Sequence, residues 1–372
     1  MLEDNVSGLN RAYQWSRTSG FFLLKRHLIK KGLKKVRKSF VLLLVGLLVV
    51  LLAACGEKSQ ADVVKALNKK VEELTGNKTK AKMTLQTGSE PQVYDVEIWH
   101  KEPAYYRVNL KNTEKDQSQM ILRNDEGVFV LTPALNKSFR FQSEWPQNSS
   151  QAYLYESLVK DIKEDPEAKF KATEDQYVFE TKTNYQNNQM LPIQEIAFNK
   201  KDLSPKYVKV MDADRNPLVV VEFSEFEFNP SFDKDAFDTQ KNMSYAQLEV
   251  PANASAENEP FAVKYPTNLP DGVKKVEEKE VSTDGGERVV ILYGGEKNFT
   301  LIQEKVKIAA PASTSTYVSG GEPANLGFTV GVLTEQSLTW SQDGVEYMIA
   351  SEELSQEEMI MVAQSVEGQS AK

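Results

Sequence analysis

Residues 93–110 read VYDVEIWHKEPAYYRVNL, and the spacing of their apolar side chains decides the fold. Tyr94, Val96 and Ile98 alternate with polar residues, and Tyr106, Val108 and Leu110 repeat the pattern after Pro103. A period of two puts successive side chains on opposite faces of an extended strand, so each run has one face for a core and one for water. The same period runs from Lys78 to Phe141, with further strands in QMILRN, GVFVLT and SFRFQ. Turn-forming residues separate them at Asn124–Gly127 and Pro133–Asn136. The pattern predicts an antiparallel meander.

Helices flank it. In SQADVVKALNKKVEELTGN, residues 59–77, the apolar residues Val63, Val64, Leu67, Val71 and Leu74 recur at helical spacing, and Gly76 stands where a stop is expected. A second helix fits SSQAYLYESLVKDIKED, with a stripe of Leu154, Tyr155, Leu158, Val159 and Ile162 and an end at Pro166. Strands then resume in KFKATE, YVFETKT, IQEIAFN, KYVKVMD and PLVVVEFSEFEF. This order predicts an α+β domain over residues 61–245, a curved antiparallel half-barrel sheet wrapping helices on one face. Such a sheet encloses apolar volume, which makes Tyr106, Val108, Leu110, Ile121, Phe129, Leu131, Phe139 and Phe141 candidate lining residues of a ligand cavity. Residues 246–260, rich in Ala, Asn, Glu and Pro, read as a linker. Residues 261–368 read as a small separate α+β domain whose last helix opens on a capping box of Ser355 and Glu358.

The one cysteine of the chain, Cys55, ends the apolar run Phe40–Ala54. That run is shorter than the roughly 20 residues a spanning helix takes. It follows a basic segment from Lys25 to Lys38, the layout of an export signal. The closing LAAC resembles a bacterial lipobox, which implies cleavage between Ala54 and Cys55 and a diacylglyceryl group on the Cys55 sulfur. Residues 1–54 are thus expected to be a signal peptide and residues 55–60 an anchor and tether. Residues 1–35 exceed what an export signal needs, and a translation start at Val36 would leave a compact basic region of Arg37 and Lys38. Two acyl chains hold a protein at a membrane where one is marginal. The expected location is the extracytoplasmic face of the cell membrane.

Ten of the 45 Lys and Arg but only two of the 53 Asp and Glu precede Cys55, so the remainder carries a net charge near −16. That charge repels nucleic acid and anionic headgroups alike. A single cysteine excludes an intramolecular disulfide. After Cys55 one histidine is left, His100, so thiol catalysis, imidazole triads and zinc cages lack parts. His100 reads as a partly exposed strand-end residue. Asp212, Asp214 and Asn216 have calcium-loop spacing, but Pro217 and Phe223 replace the glycine and the acid such a loop needs, so a hairpin turn is expected. Glycine pairs at 285–286, 294–295 and 320–321 read as turns, and Glu222, Glu225 and Glu227 as the wet face of a strand. No enzyme activity, metal or cofactor is expected.

The runs VEIWHKEPAYYRVNL, ILRNDEGVFVLTPALNKSFRF and LPIQEIAFNKKDLSPKYVKVMDADRNPLVVVEFSEFEFNPSFDKDAF together resemble the lipoprotein-carrier superfamily of LolA, LolB and RseB. Pro103, Arg107, Gly127, Pro133, Asp212, Phe223, Asn229 and Phe237 stand at the recurring positions. Within it the chain is most similar to the membrane-anchored sporulation lipoproteins of Gram-positive spore formers, the YdcC type. The resemblance implies an incomplete barrel closed by helices, an apolar cavity for an acyl chain, lipid or lipoprotein, and a role in sporulation. It also implies an alternative, a two-domain sensor that docks a membrane partner such as an anti-sigma factor.

Overall fold

The computed structural model describes residues 58–86, 91–114, 117–146, 150–185, 191–248, 262–283, 286–305, 315–326 and 329–368. Ala54, Cys55, the export signal and residues 249–260 of the expected linker lie outside the described residues. Residues from Ser59 onward form one compact unit. No helix among the described residues is long and apolar enough to cross a membrane.

Helix α1 (Gln60–Glu72) begins at a capping box in which the Ser59 hydroxyl accepts from the Asp62 N–H and the Asp62 carboxylate accepts from Ser59. It ends at Glu73, so Gly76 is not its stop. Gly76 is instead the first residue of β1 (Gly76–Leu85). A Cβ there would lie 2.4 Å from the His100 carbonyl oxygen, so the glycine is what lets two strands approach. Strands β2 (Gln92–Lys101), β3 (Tyr105–Asn112), β4 (Ser118–Asn124), β5 (Gly127–Thr132) and β6 (Lys137–Phe141) complete the expected meander. Helix α2 (Tyr155–Glu164) buries the expected Tyr155, Leu158, Val159 and Ile162. A second meander follows in β7 (Lys169–Ala172), β8 (Gln176–Lys182), β9 (Ile193–Asn199), β10 (Pro205–Met211) and β11 (Pro217–Phe228).

The two meanders join where β11 pairs with β1, from Asn77 opposite Phe228 to Leu85 opposite Val219. This makes one open, curved sheet, with β1 near its middle and α1 and α2 on its inner face. The fold is the α+β class expected.

Helix α3 (Thr239–Leu248) occupies residues read as the run-up to and start of a linker. Its apolar signal is weak because Met243 and Ala246 are buried while Tyr245 and Leu248 are exposed, which blurs any stripe.

The rest of the chain forms β12 (Lys264–Pro266), β13 (Lys274–Thr283), β14 (Gly286–Gly294), β15 (Phe299–Lys305), β16 (Ser315–Ser319), β17 (Glu322–Asn325), β18 (Val330–Leu333), β19 (Ser337–Gln342), β20 (Val345–Ala350), α4 (Gln356–Gln364) and β21 (Val366–Gly368). Seven of these strands make a second antiparallel sheet in the order β13-β14-β15-β20-β19-β18-β17. Its core sets Leu301, Trp340, Tyr347 and Ile349 with Met359 and Val362 of α4, whose capping box is the expected Ser355 and Glu358. At one edge β13 leaves Val276 and Val281 exposed among Lys and Glu side chains.

One strand crosses the expected boundary between the halves. β16 lies between β15 and β17 in sequence, yet it pairs in parallel with β6 and so becomes the end strand of the long sheet.

Candidate binding face

Register builds the inner face row by row. Ile98 lies opposite Val108, Val108 opposite Ile121, Ile121 opposite Val130, and Val130 opposite Phe139. The row is apolar across five strands because each pairing keeps the period of two in step. Tyr106, Leu110 and Phe141 flank it on the same face, in one cluster with Val63 and Leu67 of α1 and Leu158 of α2.

Six of the eight candidate lining residues thus share a wall: Tyr106, Val108, Leu110, Ile121, Phe139 and Phe141. Phe129 and Leu131 lie on the opposite face, packed with Met120, Leu122, Phe237, Met243 and Ala246. One cavity cannot be lined by all eight. In β5 both faces are apolar, since Val128 and Val130 point to the helices while Phe129 and Leu131 point to α3. On the inner face the side chains are packed and, apart from the half-buried Phe139, buried. Open volume lies beside this core, in a cleft of about 880 Å³ between α1 and α2 lined by Ala61, Val64, Ile162 and Pro166 with charged side chains around them.

At one end of the wall stands a polar group. His100, expected to be partly exposed, is buried at 1 % exposure. Its ring stacks on Tyr106 with centroids 4.5 Å apart, and its Nδ1 lies 2.7 Å from Glu156 Oε1 on α2. Asn77 Nδ2 donates to the same carboxylate oxygen at 3.1 Å. The cluster ties the first turn of α2 to β1 and β2. Burial holds the Tyr106 phenol well above its ordinary range.

A second buried group ties α2 to the other meander. Ser150 Oγ and Gln194 Nε2 donate to Asp161 at 2.5 and 2.7 Å, and Tyr185 donates to Gln194 at 2.6 Å. Burial outweighs these bonds and pushes the Asp161 carboxyl up to about 6. In the sequence Asp161 is an acid beside a helix stripe, the one signal that could have marked it.

The outer cover is held differently. Arg107 pairs with Glu97 at 2.6 Å, donates to Asn242 Oδ1 of α3 at 2.7 Å and sits 4.2 Å from the centre of the Trp99 ring. Asn124 Nδ2 donates to the Phe237 carbonyl at 3.0 Å. Asn229 accepts from the Thr75 N–H at 2.8 Å and donates its own N–H to Gly76. Arg107, Asn229 and Phe237 therefore belong to the sheet's outer cover and do not meet the inner wall.

Asp212 accepts from Asn216 N–H and Nδ2 at 2.8 and 3.0 Å, closing the β10–β11 hairpin as expected. Among the described residues no group of three His, Cys, Asp or Glu is placed to hold a metal ion.

The geometry defines a class: an open curved sheet with an apolar face roofed by two helices, joined to a smaller sheet. The model of the sporulation protein YdcC-like family matches residues 34–237, and the chain belongs to that family. Sporulation protein YdcC of Bacillus subtilis (strain 168) is 62% identical over 341 residues, 91% of this chain and 100% of the relative. Among solved structures, the MucA/MucB complex of Pseudomonas aeruginosa is similar at 12% identity, over 82% of this chain and 100% of that one, with a TM-score of 0.30. A putative outer membrane lipoprotein-sorting protein domain from Vibrio parahaemolyticus is similar at 12% identity, over 49% of this chain and 97% of that one, with a TM-score of 0.29.

Proposed function

We propose that this protein is a non-catalytic binding module of the sporulating cell. It is held at the extracytoplasmic face of the membrane by a diacylglyceryl group on Cys55, and it takes a lipid, acyl chain or lipoprotein segment against the inner wall of its long sheet. The observation that carries this reading is the apolar row from Ile98 to Phe139 roofed by a helix with a short apolar stripe. Helix α1 contributes Val63 and Leu67, both fully buried, with Val64 and Val71 partly buried. At about 1.5–3 kcal/mol for each fully buried side chain, that stripe is worth roughly 5–9 kcal/mol. A dozen buried methylenes at about 0.8 kcal/mol each come to roughly 10 kcal/mol. An acyl chain can therefore replace the stripe with little net cost, and the cleft between α1 and α2 is the way in.

Native mass spectrometry with lipid extraction, on the compact unit from Ser59 onward purified without detergent, tests this. A co-purifying lipid that Leu110→Asn removes without unfolding the protein supports it. A ligand-free mass that persists after incubation with membrane lipids sinks it.

A second reading, a sensor that docks a membrane partner, draws on the contact between the two sheets. The buried side chain of Gln119 on β4 donates to the Val330 carbonyl at 3.0 Å and accepts from the Val330 N–H and, at 3.1 Å, from Thr329 Oγ1. Such a joint carries an event at one sheet to the other. Capture of a membrane protein by the wild type and not by Gln119→Leu, after cross-linking in sporulating cells, would favour it; equal capture by both would count against it.

A further inference from the structure

We propose that the β6 edge of the long sheet is a strand-acceptor site for an extended polypeptide segment running parallel to β6, with the chain's own β16 as its resident occupant. This stands apart from whether the inner wall takes a lipid.

β16 is borrowed. Its sequence neighbours β15 and β17 belong to the second sheet, while its own ladder, from Ser315 opposite Lys137 to Ser319 opposite Phe141, is made with the first. Among the described residues it is the one parallel pairing; every other strand pair is antiparallel. Parallel strands need a crossover connection, and the one used here runs through another sheet. The edge of β6 thus accepts a strand that does not come from its own meander.

The occupant is also a short end strand of the long sheet. It spans five residues and has one neighbour, in the less stable of the two ladder types. A glycine pair follows it. A Cβ on Gly321 would lie 2.3 Å from the Leu333 carbonyl oxygen, so Gly321 is pinned against β18, whereas a Cβ on Gly320 would meet nothing within 4 Å. Movement at Gly320 releases β16 and leaves the second sheet in place.

The edge states what it will accept. Phe139 and Phe141 face the core cluster and Arg140 is exposed, so a guest needs alternating residues with an apolar or aromatic side chain in register with Phe139. In the resident strand that position is Tyr317. Ser138 is buried with a hydroxyl that lacks a hydrogen-bond partner, so a small residue suits the register beside it. The partner is an extended, uncharged, β-forming segment of another protein.

The test uses the full chain with Tyr317→Pro, which fixes the backbone and removes an N–H in the middle of β16, and a second variant with Ser315–Ser319 replaced by five glycines in case the first fails to fold. The probe is a fluorescent peptide of residues 315–321, STYVSGG. Hydrogen exchange over residues 137–141 is expected to be at least tenfold faster in either variant than in the wild type. The peptide should restore protection and bind the variant at least tenfold more tightly than the wild type, while the same peptide carrying proline for tyrosine binds neither. Unchanged exchange in both variants would show that β16 does not hold the edge. Peptide binding that is absent from the opened variants, or equal in variant and wild type, would overturn the proposal. The lipid content read by mass spectrometry tests the inner wall separately.

Discussion

Strands β4 and β5 are apolar on both faces, and the two faces are covered in opposite ways. Inside, helices roof Ile121 and Val130, with polar ties at His100–Glu156 and at Asp161. Outside, the segment that follows β11 lies over Leu122, Phe129 and Leu131, and Arg107 and Asn124 hold it by hydrogen bonds to Asn242 and Phe237. The outer cover is continuous with the strand it leaves and anchored by side chains of the sheet itself. The inner cover is α1 and α2, and the sequence neighbour of α1 is the expected tether. One face is covered by a segment that the sheet's own side chains tie down, the other by helices packed on an apolar row.

The sharpest way to break this contrast is at the strand that both covers depend on. Gly76→Ala sets a methyl group against a backbone oxygen 2.4 Å away, so β1 and β2 must part, and a loss of more than about 4 kcal/mol in denaturant unfolding is expected. Next come Leu67→Ala on the inner cover and Met243→Ala on the outer, each expected to cost about 2–5 kcal/mol. If the faces differ as described, the first raises uptake of a fluorescent fatty acid and the second does not; equal uptake would erase the distinction.

Asp161 gives a pH signature to the inner cover. Its carboxyl is raised from 3.8 to about 6, so the native state keeps a proton that the unfolded chain releases at lower pH. The favourable contribution is complete below pH 4 and is lost as pH rises through 6, on the order of 2–3 kcal/mol at 1.36 kcal/mol per unit. Thermal unfolding between pH 4 and 7 should slope downward in the wild type and flatten in Asp161→Asn. The smallest effect is at the start of the roof: Ser59→Ala removes the α1 cap and should cost about 1 kcal/mol, read as faster amide exchange confined to the first turn of α1.

Period-two runs make β2 to β6 and β8 to β11 legible in the amino-acid sequence alone, and the stripe of α2 and the Ser355 capping box are equally plain there. What escapes depends on partners distant in sequence. β1 lies in the period-two run that starts at Lys78, but GNKTKAKMTL does not reveal its central place in the sheet, which comes from pairing with β11. The face taken by Phe129 cannot be read from GVFVLT, where both parities are apolar. His100 looks like a strand end, and only Tyr106 and Glu156 closing over it make it interior. Of the eight candidate residues six therefore share the inner face, and the two that do not, Phe129 and Leu131, come from β5, where alternation carries no polarity.

The rim of the second sheet has a consequence for how the molecule behaves in a crowd. Among the described residues β13 offers ten residues at an edge that no other strand pairs with, and two exposed valines, the usual template for copies to aggregate. Six of those ten side chains are Lys or Glu, and Lys275 and Lys279 already pair with Glu278 and Glu277. A second copy adding to this edge would have to break those pairs and strip water from their charges. The rim therefore works as a guard that discourages one copy's sheet from extending another's.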